Sequence, residues 1–198
     1  TALAALATPL AAAPTATAPD IAALERYISA NLAYSPATRN EALRRLPHLT
    51  QLSGEQAKFE LEVARILALS NNGHSALFSP QWTLRYPRSP VRFGLFADGL
   101  FVVAAPSEQS ELIGKPVETI NGRPWEDLRT AYAEYQGGLP GFRDQFLVYF
   151  LETPAILAAA GFGETDTLEL GVGGRRVRVT PRMSPYTDEL EALFGRPA

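Results

Sequence analysis

The 198-residue chain contains no cysteine, which excludes disulfides, thiolate catalysis and every cysteine-containing metal site. It has two histidines, His48 and His74, and their separation matches no metal-ligand spacing, so neither a metal nor a cofactor is expected. Clustered positive charge is also scarce. The formal net charge is -3 and the densest basic pairs are Arg44-Arg45 and Arg175-Arg176, so no basic stripe advertises nucleic acid. No apolar run approaches the ~20 residues that cross a bilayer, so no transmembrane segment is expected. What remains, 46% hydrophobic and 20% charged, is the composition of a globular chain with a core.

The N-terminal stretch "TALAALATPLAAAPTATAPD" carries no charge before Asp20 and is dominated by Ala, Leu and Thr. It reads either as the apolar and cleavage regions of a secretory signal peptide or as a flexible linker broken by Pro9, Pro14 and Pro19. Both readings place residues 1–19 outside the core. The first implies a secreted or periplasmic protein.

Helical periodicity starts at Asp20, a candidate cap for a helix with Ile21, Leu24, Tyr27 and Ile28 on one face. Ser35-Pro36 opens a second helix that must stop near Pro47. Ser53 and Gln56 have capping-box spacing ahead of Phe59, Val63, Ile66 and Leu67, and Asn71-Asn72-Gly73 ends this third helix. Residues 20–73 thus form a helical bundle.

Beyond His74 the pattern becomes strand-like: "SALF", "WTLRY" and "VRFGLFADGLFVVAA" are β-rich, and Asp98-Gly99 suits a hairpin turn. Thr167–Val172 and Arg175–Thr180 alternate around Gly173-Gly174 as a second hairpin. Between them come a short strand, an Asn121-Gly122 turn, and a helix begun by Pro124 that buries Trp125, Leu128, Tyr132 and Tyr135. Residues 141–160 add helix, with Pro154 starting a second segment. The expected class is α+β. Adjacent carboxylates such as Glu126-Asp127 and Asp188-Glu189 read as solvated helix surface.

"SNNGHSAL" after a helical bundle, then "FADGLFVV", then "SELIGKPVETINGRPWEDL" and a late hairpin, together resemble the N-terminal part of serine peptidases of the tail-specific, C-terminal processing and tricorn-core family. The resemblance spans residues 20–182 and rests on the order of short motifs. It implies a PDZ-like β-rich module with inserted helices over residues 74–182, after the bundle at 20–73. Residues 183–198, with a helix from Thr187 to Phe194, would connect to a catalytic domain later in the same polypeptide. Two motifs depart from the family pattern. Asp-Gly-His-Thr is Asn72-Gly73-His74-Ser75 here, and Gly-Asp-x-Ile is Gly114-Lys115-Pro116-Val117. Nothing in the chain matches the family's serine nucleophile or its oxyanion donors, so the chain reads as a piece of a longer protein and is expected to be inactive alone.

In the tricorn-like branch the matching histidine is the general base for that serine, and the resemblance hands this role to His74. The serine that precedes it there is Gly73 here, and the Ser-Lys branch needs no histidine, so the role is conditional on the branch. The plainer account of His74 is a polar residue capping helical carbonyls. His48, between Pro47 and Leu49, reads as structural or exposed.

PDZ-like modules take an extended peptide as an added strand, and a hydrophobic-Gly-hydrophobic loop receives its terminal carboxylate. Phe93, Gly94 and Leu95 are the candidate for that loop, against a strand in which Gly94 marks a bulge or a close backbone approach. The partners implied are a peptide or protein substrate and the downstream catalytic domain. The alternative function is a non-catalytic peptide-binding or structural secreted domain.

Overall fold

Ser35 and Pro36 open a helix as their order implies. In the computed structural model, which describes residues 18–52, 54–77 and 79–183, the Ser35 side chain accepts the Thr38 N–H at 3.2 Å. Pro36 follows in the first turn of helix α2, Pro36–Arg45. The α-helix stops ahead of Pro47, and the chain tightens into a 3-10 helix over Leu46–Leu52. The preceding helix α1, Ala18–Ala30, starts before Asp20, so that carboxylate lies within the first turn, where the helix dipole favours it, and not at the cap. Helix α3, Gln56–Ala68, also departs from expectation at both ends. Glu55 is its N-cap residue and makes no side-chain cap bond, while Ser53 lies outside the described residues. The helix stops at Ala68, and Asn71-Asn72-Gly73 belongs to a separate turn with Asn71 at φ 49°.

Helix α3 has two apolar faces and so joins two cores. Ile66 packs with Ile28, Tyr34, Ala42, Leu46 and Leu49 of the N-terminal helices. Leu61 and Ala64 belong to the larger core, with Trp82, Phe93, Leu128, Phe150 and Leu170 among its members. Each fully buried large apolar side chain contributes about 1.5–3 kcal/mol.

The strands are fewer than the β-rich composition implies. "WTLRY" is not a strand: Trp82 to Leu84 fall in a 3-10 helix, Ser79–Leu84, in which Thr83 Oγ1 donates to the Pro80 carbonyl at 2.7 Å. Residues 75–77 of "SALF" are likewise irregular. The side-chain bond to a local carbonyl and the apolar seat of Trp82, 1% exposed, outweigh β-propensity here. Strands β1, Arg92–Phe96, and β2, Gly99–Ala104, form the first hairpin with Phe96 opposite Gly99. The turn is therefore Ala97-Asp98, one residue earlier than the expected Asp98-Gly99, and Gly99 opens β2 at φ 148°.

The second sheet is antiparallel in the order β4-β3-β5-β6, with β3 Val117–Ile120, β4 Arg123–Pro124, β5 Leu168–Val172 and β6 Arg175–Val179. Its two tight turns, Asn121-Gly122 and Gly173-Gly174, have positive φ at both residues, the conformation that matches strand twist. Helix α4, Trp125–Tyr132, starts after Pro124 and buries Trp125, Leu128 and Tyr132 as expected, while Tyr135, expected on the same helix, lies beyond its end and is also buried. Helices α5, Pro140–Leu151, and α6, Pro154–Ala159, complete an α+β fold. Of the leader or linker expected at 1–19, Ala18 and Pro19 instead open α1, where a proline in the first turn is tolerated. The rest lies outside the described residues, as does the connecting helix expected at 187–194. No helix among the described residues is long and apolar enough to cross a membrane.

Candidate functional site

His74 sits on a loop that is clamped from three directions. Its own N–H donates to Asn72 Oδ1 at 3.0 Å, closing a local turn. From α1 and the residue that follows it, Tyr27 Oη and Asn31 Nδ2 both donate to the buried Ser75 hydroxyl, at 3.1 and 3.0 Å. The third clamp follows α4, where Gly138 N donates to Asn71 Oδ1 at 3.2 Å and Gln136 Nε2 to the Gly73 carbonyl at 3.4 Å. Backbone meets backbone there. A Cβ on Gly138 would lie 3.0 Å from Gly73 Cα, and one on Gly137 3.0 Å from the Asn72 nitrogen.

The imidazole itself is exposed and faces Phe142 with ring centroids 5.7 Å apart. Together with Gly73, Ala76, Leu77, Gln136 and Phe146 these rings border a cavity of about 390 Å³. Because α3 ends at Ala68, the ring does not cap that helix's terminal carbonyls: Tyr34 Oη donates to the Ile66 and Leu67 carbonyls, and Ser70 Oγ also to Leu67. His74 is therefore a solvent-facing imidazole on a loop held by hydrogen bonds, beside a mainly apolar hollow. His48 is exposed and pairs locally with Gln51 at 3.0 Å. Among the described residues no cluster of His, Asp and Glu could hold a metal ion.

Phe93, Gly94 and Leu95 form strand, not loop: they pair with Val102, Phe101 and Leu100 of β2. A Cβ on Gly94 would stand 2.6 Å from Val103 Cγ1 and 2.9 Å from the Phe96 ring, so the glycine marks a close approach across the hairpin. The other edge of β1 pairs with no strand among the described residues. Strand groups alternate between edges, and Val102, opposite Phe93, turns its own N–H and C=O away from β1 to Lys115 and Gly114. Phe93 and Leu95 accordingly turn theirs to the unpaired side. The Phe93 N–H is taken by Glu152 Oε1 at 2.6 Å.

A groove of about 1090 Å³ is bordered by the β1–β2 hairpin, the start of β3, and α4 and α5, with Phe93, Gly94 and Leu95 in its lining. Helix α5 flanks it through Gly141, Asp144, Gln145 and Val148. Trp125 and Val117, both buried, contribute apolar lining. Across it Arg129 donates to both oxygens of Asp144, at 2.8 and 2.6 Å. That paired carboxylate pushes the guanidinium pKa further up, keeping it charged.

The structure thus places His74 on one loop and residues 93–95 in a strand beside a separate groove. Sequence reasoning missed Gly137-Gly138, whose "GG" pair was the available signal, and Glu152, which had none. The chain matches no protein-family profile and gives no significant match to any curated protein.

Proposed function

We propose that this chain is the substrate-holding N-terminal portion of a secreted or periplasmic serine peptidase of the tail-specific and tricorn-core type, with the serine nucleophile carried by a domain outside these residues. The unpaired edge of β1, whose Phe93, Gly94 and Leu95 line the groove between the hairpin and α5, carries the reading. A peptide added as a strand there receives main-chain hydrogen bonds from Leu95, in the manner of a PDZ-like module. His74 is the general base that such a serine requires, and its clamped loop supplies the preorganisation that proton transfer rewards.

Two measurements test this. Calorimetric titration of the chain with an acetylated, amidated extended peptide detects binding, and N-methylating the peptide's alternate amides on either edge should then weaken it about tenfold or more by removing strand pairing. Equal affinity for all N-methylated forms rules out strand addition. In the longer protein carrying the serine domain, His74→Ala should lower turnover by about 10²–10⁴. Unchanged turnover removes the general-base role.

The non-catalytic alternative, a peptide-binding domain, shares the β1 groove and differs only at His74. The same substitution separates the two.

A further inference from the structure

A terminal carboxylate docked on the edge of β1 needs free backbone donors, and the buried end of that edge is already occupied by a carboxylate of this chain. Glu152, fully buried, accepts the Phe93 N–H at 2.6 Å and forms ion pairs with Arg88 Nη2 at 2.6 Å and Arg92 Nη1 at 3.4 Å. Arg88 is itself buried. Internal chemistry therefore fills the position where the end of a peptide would sit.

The rest of the groove has the opposite preference. Its lining includes the carboxylates of Asp98, Glu118, Glu126 and Asp144 and a single guanidinium, Arg129. Asp144 binds that guanidinium with both oxygens, so it is not free to receive a peptide's negative charge. Glu118 accepts the Gly174 N–H at 3.0 Å, which holds one carboxylate near the mouth without neutralising it. Asp98, in the β1–β2 turn, and Glu126, in the first turn of α4, are exposed. An incoming strand thus meets apolar walls from Leu95, Trp125 and Val148 and a negative field in which Arg129, the one cation among the described lining residues, is already paired.

We infer that the groove takes an internal, basic segment of a polypeptide, with Lys or Arg side chains alternating with apolar ones, and does not select a free C-terminus. This rests on strand addition to β1 as proposed above. Alternation follows from the geometry, since successive side chains of an added strand point to opposite faces. Main-chain pairing to Leu95 is then common to all segments, and charge complementarity chooses among them.

The test is calorimetric titration of the chain with three acetylated, amidated peptides of alternating sequence, Val-Lys, Val-Gln and Val-Glu, and with the Val-Lys peptide bearing a free C-terminal carboxylate. The lysine peptide should bind about tenfold more tightly than the glutamate peptide, with glutamine between, and high salt should compress the differences. Glu126→Lys should reduce or invert the preference, and Glu118→Gln serves as the milder second variant; the far-UV circular dichroism of each verifies that it folds. The free carboxylate should leave affinity equal or lower. Equal binding of lysine and glutamate peptides overturns the charge selection, and tighter binding of the free carboxylate overturns the internal-segment claim, while both leave strand addition standing. If no peptide binds, strand addition itself fails and the inference falls with it.

Discussion

The backbone N–H of Phe93 donates to the carboxylate of Glu152, 59 positions further along the chain, at 2.6 Å. This one contact ties the unpaired edge of β1 to the end of α5, and Glu152 has no solvent exposure. Removing its carboxylate leaves a buried N–H and the buried Arg88 guanidinium without their main acceptor. Glu152→Ala should therefore cost about 3–5 kcal/mol, and Glu152→Gln, which keeps an acceptor but no charge, distinctly less. The urea midpoint of each variant measures this, and a loss under 1 kcal/mol for the alanine variant contradicts the role assigned to the contact.

Gly138 lies against Gly73 with φ at +96°, so an added Cβ meets both an unfavourable backbone conformation and a neighbouring main chain at 3.0 Å. Gly138→Ala should destabilise the chain by about 1–3 kcal/mol and loosen the His74 loop. Hydrogen exchange at residues 71–75 should quicken more than at the β5–β6 hairpin. Uniform quickening would show that the clamp does not act locally.

Arg129 and Asp144 meet through two hydrogen bonds, yet the arginine side chain is 43% exposed. Water and salt screen such a pair. A double-mutant cycle with Arg129→Ala and Asp144→Ala should give a coupling of only ~0.5–1 kcal/mol, shrinking at high ionic strength. A coupling that persists in high salt would mean the pair is more shielded than its exposure indicates.

Burial, and secondarily the neighbouring Tyr27, pushes the Tyr34 phenol up to about 12. The neutral form is the one the fold favours, so its contribution is complete below the ordinary tyrosine value of about 10 and is lost as pH rises from there through the folded value. Tyr34→Phe should remove the hydrogen bonds to the Ile66 and Leu67 carbonyls, costing about 1 kcal/mol at neutral pH. Its stability should then fall less steeply than wild type in alkali. Parallel alkaline denaturation curves would contradict this.

Much of the fold was legible because its signals are local. Ser35-Pro36, Pro124 and Pro154 start helices, Asn121-Gly122 and Gly173-Gly174 turn hairpins, and the stripe of Trp125, Leu128, Tyr132 and Tyr135 is buried. "WTLRY" failed because its fate depends on distant packing: Trp82 enters the core with a 3-10 turn around it, and β-propensity carries no information about that seat. The third helix stopped early for a related reason. Tyr34 and Ser70 hydrogen-bond its last carbonyls, so the left-handed Asn71 belongs to the His74 loop.

The candidate site was legible only as separate residues. His74 stood out as an ionisable ring at a helix-to-strand junction, and Phe93-Gly94-Leu95 as a triplet. The clamp by Tyr27, Asn31 and Gly138, the unpaired edge of β1 and the acidic groove beside it join residues from across the chain.

The sequence alone determined the α+β class, the buried stripe from Trp125 to Tyr132 and the Asn121-Gly122 and Gly173-Gly174 turns, because propensity, periodicity and turn chemistry act within a few residues. The α1 stripe did not hold throughout, since Tyr27 is exposed. The tertiary structure decided that His74 is held out to solvent, that residues 93–95 are an edge strand, and that Glu152 closes the end of that edge. Those outcomes depend on long-range contacts, whose partners no local pattern specifies.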